Sequence, residues 1–213
     1  MNNINLDYVY GLSMTDGCYS QGRYTNERLD GSIQVGFRRE ISLFQSKERG
    51  RLLLEHIKIV LANEGIKTGK VSQEKRRINR HLFYKLRIAA KSIPLFLNKR
   101  PAIPSIEFIA GIIDGDGSFF NQTIKQTYKG TKYINIYPGF SFCGNVTHKL
   151  VVFEITASYL LREYNIVLKK RYTSEYNFHY YSCTRKQEVI TLAEIMKDYC
   201  YIKQEKIKEI LSA

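Results

Sequence analysis

Apolar residues recur at helical spacing in two pairs of segments that follow the same order along the chain. Helices are predicted at 4–15 and 105–115, and again near 48–62 and 148–162. Ser105 is a suitable N-cap, because its side chain can accept a hydrogen bond from a free backbone amide in the first turn. Each of the two helices in the first half therefore has a counterpart in the second.

Alternation of apolar and polar residues predicts β-strands with one buried face between these helices. The predicted strands cover 32–37, 66–75 and 80–89 in the first half and 133–137, 166–175 and 178–184 in the second. A short helix near 92–99 closes the first half, and a longer one at 186–211 closes the second. Gly17 and Gly117 are expected to end the leading helices in the left-handed C′ conformation.

Prolines mark the boundary between the two halves, at Pro94, Pro101 and Pro104. The halves are assigned to 1–100 and 101–213. The element order αββαββα, present twice, predicts an α+β fold with two pseudo-symmetric halves, each with an antiparallel sheet.

The repeat is visible in the residues themselves. The segments YVYGLSMTDGCY (8–19) and FIAGIIDGDGSF (108–119) align at an offset of 100, which pairs their glycines and their last acids. The same offset continues downstream and pairs Gln45 with Asn145, Arg49 with Lys149, and Ile66 with Ile166. A register that extends over so many positions indicates a duplicated fold.

Charge points to a polyanionic partner. The 213 residues contain 33 Lys and Arg against 20 Asp and Glu, a formal net charge of +13. A surplus of this size favours nucleic acid as the partner. The four cysteines form no CxxC pair, which argues against a zinc ribbon or a disulfide framework. No stretch approaches the roughly 20 apolar residues of a membrane helix, so no membrane partner is expected.

Two aspartates are candidate ligands of a catalytic metal ion. Gly11 and Gly111 would let the two leading helices pack closely, which would bring Asp16 and Asp116 together at the helix C-termini. Their charges and both helix dipoles would then repel, and a divalent cation such as Mg²⁺ would relieve the conflict. A metal at that point could support phosphodiester hydrolysis. The alternative is that each Asp-Gly pair only forms a turn.

The segment FIAGIIDGDGSF resembles the LAGLIDADG motif of homing endonucleases, and YVYGLSMTDGCY resembles a degenerate first copy. The resemblance covers essentially the whole chain. It implies a monomer in which the motif helices form the interface between the halves and two saddle-shaped sheets lie over a long DNA site. It also implies a site-specific endonuclease that makes a metal-dependent staggered cut across the minor groove of double-stranded DNA.

The resemblance implies a metal site formed by the last acid of each motif, Asp16 and Asp116, with the carbonyls of Thr15 and Gly115. The expected cofactor is Mg²⁺; Mn²⁺ is expected to substitute for it, and Ca²⁺ to bind without supporting cleavage. The earlier acid of the motif is present as Asp114 but is replaced by Met14 in the first copy.

The resemblance also implies polar residues around the attacking water. These would be Gln45 and Asn145, then Arg49 and Lys149 about one helical turn later, and the late lysines Lys203 and Lys99. Alternatively, these side chains contact phosphate or only solvent.

Basic, amide and aromatic side chains on the extended segments are the candidate DNA contacts, because Arg and Lys can recognise guanine and Asn and Gln adenine. They are Gln21, Arg23, Tyr24, Arg38, Arg39, Lys70, Ser72, Gln73, Lys75, Arg80, Asn121, Gln122, Lys125, Gln126, Tyr128, Lys169, Arg171 and Tyr172. The two halves differ at most of these positions, which predicts a non-palindromic target.

Two other functions remain open for this fold. One is an intron-encoded maturase, which would bind intron RNA and assist splicing; the other is a DNA-binding protein without cleavage activity. Retention of both Asp16 and Asp116 favours the nuclease. Abundant residues with AT-rich codons, together with the resemblance, predict an intron gene in an organelle, most simply a mitochondrion; the alternative is a bacterial or phage gene with an intracellular product.

Overall fold

The first half of the molecule follows the predicted order. The computed structural model describes residues 4–27, 33–75, 82–128, 131–144, 147–174 and 178–212. The elements of the first half are α1 (Leu6–Thr15), β1 (Gly17–Glu27), β2 (Ile33–Ser46), α2 (Lys47–Asn63), β3 (Ser72–Lys75), β4 (Leu82–Ile88), a 3₁₀ turn (Ala90–Ser92) and α3 (Ile93–Asn98).

The second half repeats this arrangement. Its elements are α4 (Ile106–Asp116), β5 (Gly117–Tyr128), β6 (Thr131–Gly144), α5 (Thr147–Tyr164), β7 (Lys169–Thr173), β8 (Phe178–Cys183), α6 (Lys186–Met196) and α7 (Gln204–Leu211). The strands form two four-stranded antiparallel sheets, in the orders β1-β2-β4-β3 and β5-β6-β8-β7. The predicted α+β class with two antiparallel sheets is confirmed. None of the described helices is long and apolar enough to cross a membrane.

Helices α1 and α4 pack against each other along a glycine seam. A Cβ built on Gly11 would lie 1.9 Å from the carbonyl oxygen of Phe108, and one on Gly111 would lie 2.2 Å from that of Tyr8. Real Cβ atoms do not approach so closely, so only glycine permits this helix spacing. Ser105 caps α4 as predicted, because its side chain accepts a hydrogen bond from the Phe108 amide.

Each sheet buries one face against the helices. In the first half Leu43 of β2 and Leu86 of β4 are fully buried on that face. In the second half Phe142 of β6 stacks on Phe153 of α5, with ring centroids 5.0 Å apart. Burial of one such side chain stabilises the fold by about 1.5–3 kcal/mol. The core thus fixes which face of each sheet stays open.

Three local predictions are wrong. The single closing helix at 186–211 is two helices, α6 and α7, separated by residues 197–203. Neither Gly17 nor Gly117 has a positive φ; a Cβ at Gly17 would lie 2.0 Å from the Ser13 carbonyl oxygen, so close approach requires the glycine. Pro94 does not lie in a linker but in the first turn of α3, where its missing amide costs no hydrogen bond.

Candidate active site

The C-termini of α1 and α4 bring two aspartates to one seam. The Asp16 amide donates to the Leu12 carbonyl oxygen at 2.9 Å, and the Asp16 carbonyl accepts from the Phe44 amide at 3.1 Å, which anchors this end of α1 to β2. A Cβ at Gly115 would lie 2.0 Å from Thr15 Oγ1 and 3.5 Å from Asp16 Cγ. The last turn of α4 therefore touches the last turn of α1.

Asp16 is held in an environment that favours its neutral form. Burial and the nearby charge of Asp116 raise its pKa to about 6, while Gln45, Lys203 and Lys149 act in the opposite direction. Gln45 Nε2 donates to Asp16 Oδ2 at 2.6 Å. A carboxyl group that resists ionisation beside a second carboxylate is a site that a cation would stabilise.

Asp116 faces Lys149 of α5. The Lys149 ammonium donates to Asp116 Oδ1 at 2.9 Å and lies 2.8 Å from Oδ2. The contact with Oδ2 lacks hydrogen-bond geometry, so this buried oxygen has no hydrogen-bond partner among the described residues. An oxygen of this kind has a lone pair free for a further ligand.

A cavity opens at the seam and takes its lining from both halves of the chain. The first half contributes Asp16, Phe44, Gln45, Ser46, Leu82 and Phe83, and the second contributes Asp114, Gly115, Ile202 and Lys203. Lys203, from the second half, thus lines the same cavity as Asp16, and its charge lowers the pKa of Asp16. We call Asp16, Gln45 and Lys203 the first acidic centre, and Asp116 with Lys149 the second.

The donors at the seam fit a hard divalent cation. Two carboxylates and the backbone carbonyls of Thr15 and Gly115 are oxygen ligands of the type that Mg²⁺ prefers. The described residues contain no cluster of three or more His, Cys, Asp or Glu side chains that could enclose a metal. A cation held here would therefore complete its shell with oxygens from outside the chain, as Mg²⁺ commonly does on a phosphate substrate.

Asp114 has a structural position that sequence analysis did not assign. Its carboxylate is 1% exposed and accepts from the Tyr8 hydroxyl at 2.6 Å, the Lys203 amide at 2.9 Å and the Tyr201 amide. Burial raises the pKa of Asp114, and these hydrogen bonds oppose that rise. The polar pattern of the motif gave no signal for this role, because the partners are distant in sequence.

The remaining residues of the predicted water-positioning set are not all at the seam. Arg49 lies 3.6 Å from Glu205 and 5.3 Å from the centre of the Tyr201 ring, so it contacts the second half but neither aspartate. Asn145 lies outside the described residues.

The prediction for Lys99 is wrong. Its ammonium lies 2.6 Å from Glu64 Oε2 and 3.2 Å from the Glu64 carbonyl oxygen, at the C-terminal end of α2. Gln45 precedes the N-terminal end of the same helix, and the 1.5 Å rise per residue puts the two ends roughly 25 Å apart. The ion pair with Glu64 therefore turns Lys99 away from the seam.

Strand register sorts the predicted DNA contacts by face. Side chains alternate between faces, so residues in register with Leu43 or Phe142 share the core-side face, and their neighbours occupy the open face. The predicted contacts on the open faces are Ser72, Gln122, Gln126, Lys169 and Arg171. Those on the core-side faces are Gln21, Arg39, Gln73, Lys75, Asn121, Lys125 and Tyr172, and their contacts with DNA stay predictions.

The other predicted contacts are not sorted by the strand register. Lys70 is exposed and precedes β3. Arg80 and the side chains of Arg23, Tyr24, Arg38 and Tyr128 lie outside the described residues.

The open face of the first sheet carries a charged cluster that the sequence did not predict. Glu40 Oε1 lies 2.9 Å from Lys85 Nζ and 3.0 Å from Arg87 Nε. Burial would raise the pKa of Glu40, but hydrogen bonds from Ser42 and Lys85 and the charge of Arg87 hold it at about 2. These residues alternate along β2 and β4, and their pairing could be found only from the strand register.

A close helix pair with acidic ends, set between two four-stranded antiparallel sheets, defines a pseudo-symmetric α+β class of protein. Solved structures share this fold over nearly the whole chain. I-SmaMI bound to uncleaved DNA with calcium ions matches with a TM-score of 0.73 at 15% identity, over 99% of this chain and 90% of that chain. I-LtrWI, a LAGLIDADG homing endonuclease bound to target DNA, matches with a TM-score of 0.69 at 12% identity, over 96% and 87%.

The fold is therefore that of the LAGLIDADG homing endonucleases, as the motif resemblance predicted. The LAGLIDADG meganuclease I-AabMI, bound to uncleaved DNA, shares it with a TM-score of 0.63 at 14% identity, over 98% of this chain and 90% of that chain. No family model and no curated protein matches the sequence.

Proposed function

We propose that the protein is a site-specific DNA endonuclease, a homing endonuclease that makes a staggered, metal-dependent double-strand cut across the minor groove of a long, non-palindromic site. The observation that carries this proposal is the pair of carboxylates at the seam. Asp16 has a pKa raised to about 6, and Asp116 Oδ2 is a buried oxygen that lies 2.8 Å from the Lys149 ammonium but has no hydrogen-bond partner within the described part of the chain. These properties suit a cation bound between them.

The side chains around the aspartates suit phosphodiester hydrolysis. Lys203 and Lys149 place positive charge where negative charge would develop on a scissile phosphate, which lowers the transition-state free energy. Gln45 fixes the orientation of the Asp16 carboxylate through its hydrogen bond. A bound Mg²⁺ would supply Lewis-acid stabilisation of the phosphate and activation of water.

The open sheet faces suit a long duplex. They carry Lys169 and Arg171 in one half and Lys85 and Arg87 in the other, beside amides and hydroxyls. Basic side chains would set affinity through phosphates, and amides would contribute base contacts. Because the two faces carry different residues, the two parts of the target would differ.

Cleavage of a randomised double-stranded DNA library in Mg²⁺, with EDTA as the control, tests this function. Mn²⁺ and Ca²⁺ arms test the cofactor: Mn²⁺ is expected to support cleavage, and Ca²⁺ to support binding alone. Selected fragments should share one long site and carry staggered ends. Binding of structured RNA without cleavage would instead support a maturase, and specific DNA binding without cleavage would support a DNA-binding protein.

Substitution of the two aspartates tests the metal-site assignment most directly. Asp16→Asn and Asp116→Asn should each reduce cleavage of the selected site by at least about 100-fold while binding changes less than about threefold, because only the cation site is lost. Glu209→Gln removes one exposed acid of α7 and serves as the control. A near-normal cutting rate in either aspartate variant would refute the metal-site assignment.

A further inference from the structure

We infer that Asp114 is a positioning residue: its buried carboxylate holds the segment between α6 and α7 so that Lys203 stands in the first acidic centre. The described residues of the first half contain no counterpart of this carboxylate, so the two centres depend on different supporting contacts. This inference rests on the proposed nuclease function. It adds that the lysines of the two centres are held by different contacts.

The Asp114 carboxylate organises residues that are far apart in sequence. It accepts from the Tyr8 hydroxyl of α1 at 2.6 Å and from the Lys203 amide at 2.9 Å, and the Tyr201 amide also donates to it. The three donors come from both sides of the seam. A single buried carboxylate thus ties the loop that carries Lys203 to the pair of motif helices.

The same loop is fixed at both of its ends. Cys200 is fully buried, and its sulfur lies 3.8 Å from the Ala110 carbonyl oxygen of α4. At the other end, Gln204 Nε2 donates to the Cys200 carbonyl at 2.6 Å. Between these anchors Asp114 accepts from the partly buried amides of Tyr201 and Lys203, and loss of a hydrogen-bond partner from such amides costs free energy. The break between α6 and α7 therefore depends on this carboxylate.

In the first half, the residues that the structure describes form no equivalent arrangement. Met14 occupies the register position of Asp114, and its sulfur lies 3.7 Å from the Arg100 guanidinium. The late lysine of this half, Lys99, pairs with Glu64 instead. The ion-pair partner that the structure describes for Asp116 is Lys149, which stands on helix α5 and makes no use of such a loop.

A consequence follows for the two DNA strands. If each centre acts on one strand, loss of Asp114 removes Lys203 from the first centre and leaves Lys149 in the second. The variant should then cut one strand slowly and the other at a near-normal rate. Nicked DNA would accumulate, and the slow strand would be the one that also slows in Lys203→Ala.

The test uses the full chain, a selected target labelled separately on each strand, and the variants Asp114→Asn, Asp114→Ala and Lys203→Ala. Each should slow the same strand by about tenfold or more and the other by less than about twofold. The double variant Asp114→Ala/Lys203→Ala should be no slower than the slower single variant, because both changes remove one function. Met14→Ala, at the matched position, should slow neither strand selectively.

Hydrogen exchange of the amides provides a readout that does not require cleavage. In Asp114→Ala the amides of Tyr201 and Lys203 should exchange at least about tenfold faster than in the wild type, while amides of α2 stay within about twofold. Asp114→Asn retains an acceptor oxygen and the side-chain volume, so it keeps the test available if the alanine variant does not fold.

Two results would overturn the inference: equal slowing of both strands in Asp114→Asn, or unchanged exchange of the Tyr201 and Lys203 amides in Asp114→Ala. Failure of the proposed function would look different. A wild-type protein that cuts no DNA from the library would refute the nuclease, and the same exchange measurement would still decide whether Asp114 holds the loop.

Discussion

Asp16 and Asp116 have the same place in the repeat but different surroundings. Asp16 accepts a neutral hydrogen bond from Gln45, whereas Asp116 forms an ion pair with Lys149. Protein groups therefore relieve only part of the charge repulsion at the seam. The remaining repulsion adds to burial in raising the pKa of Asp16. This difference gives Asp16 a measurable effect on the stability of the metal-free protein.

Asp16→Asn should stabilise the metal-free protein at neutral pH. The pKa of Asp16 is raised from 3.8 to about 6, so the fold favours the neutral carboxyl. Its contribution is most favourable below pH 4 and declines as pH rises through 6, by up to roughly 3 kcal/mol. Urea denaturation in EDTA should show the variant more stable by about 1–3 kcal/mol at pH 7.5 and little changed at pH 4.

Glu209→Gln is the control for that comparison, because it removes an exposed acid whose ion pair with Lys206 lies on the surface of α7. It should leave the difference between the two pH values unchanged. A wild type that is more stable than Asp16→Asn at pH 7.5 in EDTA would contradict the raised pKa.

Among the elements, the pairing of α1 with α4 decides the geometry of the site. The close contact at Gly11 and Gly111 aligns the helices along their length, and their last turns then meet at Thr15 and Gly115. Side chains at the seam would separate the helices and move the two aspartates apart. Stability and site geometry therefore depend on the same glycines.

Gly111→Ala should destabilise the fold by about 3 kcal/mol or more, because the new methyl group would lie 2.2 Å from the Tyr8 carbonyl oxygen and 2.7 Å from the Leu12 nitrogen. Both neighbours are backbone atoms and cannot rotate away. The matched control is Gly22→Ala in β1, where no atom lies within 4 Å of the new methyl group. Equal unfolding free energies for the two variants would show that the seam is looser than described.

At the scale of the whole molecule, charge and shape act together. A net charge of +13 would favour a duplex as partner, and the open sheet faces place basic side chains on the side away from the core helices. In the second half, Lys169 and Arg171 occupy the open face, while Lys125 lies on the other face. Face, rather than charge alone, should decide which of these residues contact DNA.

The effect of a basic residue on affinity for the selected target should therefore depend on the sheet face that it occupies. Lys169→Ala and Arg171→Ala should each weaken binding and reduce the slope of log K against log salt by about 1, as expected for one lost phosphate contact. Lys125→Ala, on the core-side face, should leave the slope unchanged. Fluorescence anisotropy over a salt series measures these slopes. Equal losses for Lys125→Ala and Lys169→Ala would contradict the assignment of faces.

The sequence alone predicted the repeat and most of the elements, because both depend on local periodicity and on the offset of 100 between paired positions, but it did not predict the break between α6 and α7. It also determined that Asp16 and Asp116 would end two helices, since an apolar helix followed by Asp-Gly is a local signal. Tertiary structure alone decided the partners of the late residues: Lys99 pairs with Glu64, Lys203 crosses to Asp16, and Asp114 holds the loop between two short helices. Those contacts join residues that chain folding brings together from distant positions, and no local pattern records which of several cations a buried carboxylate will face.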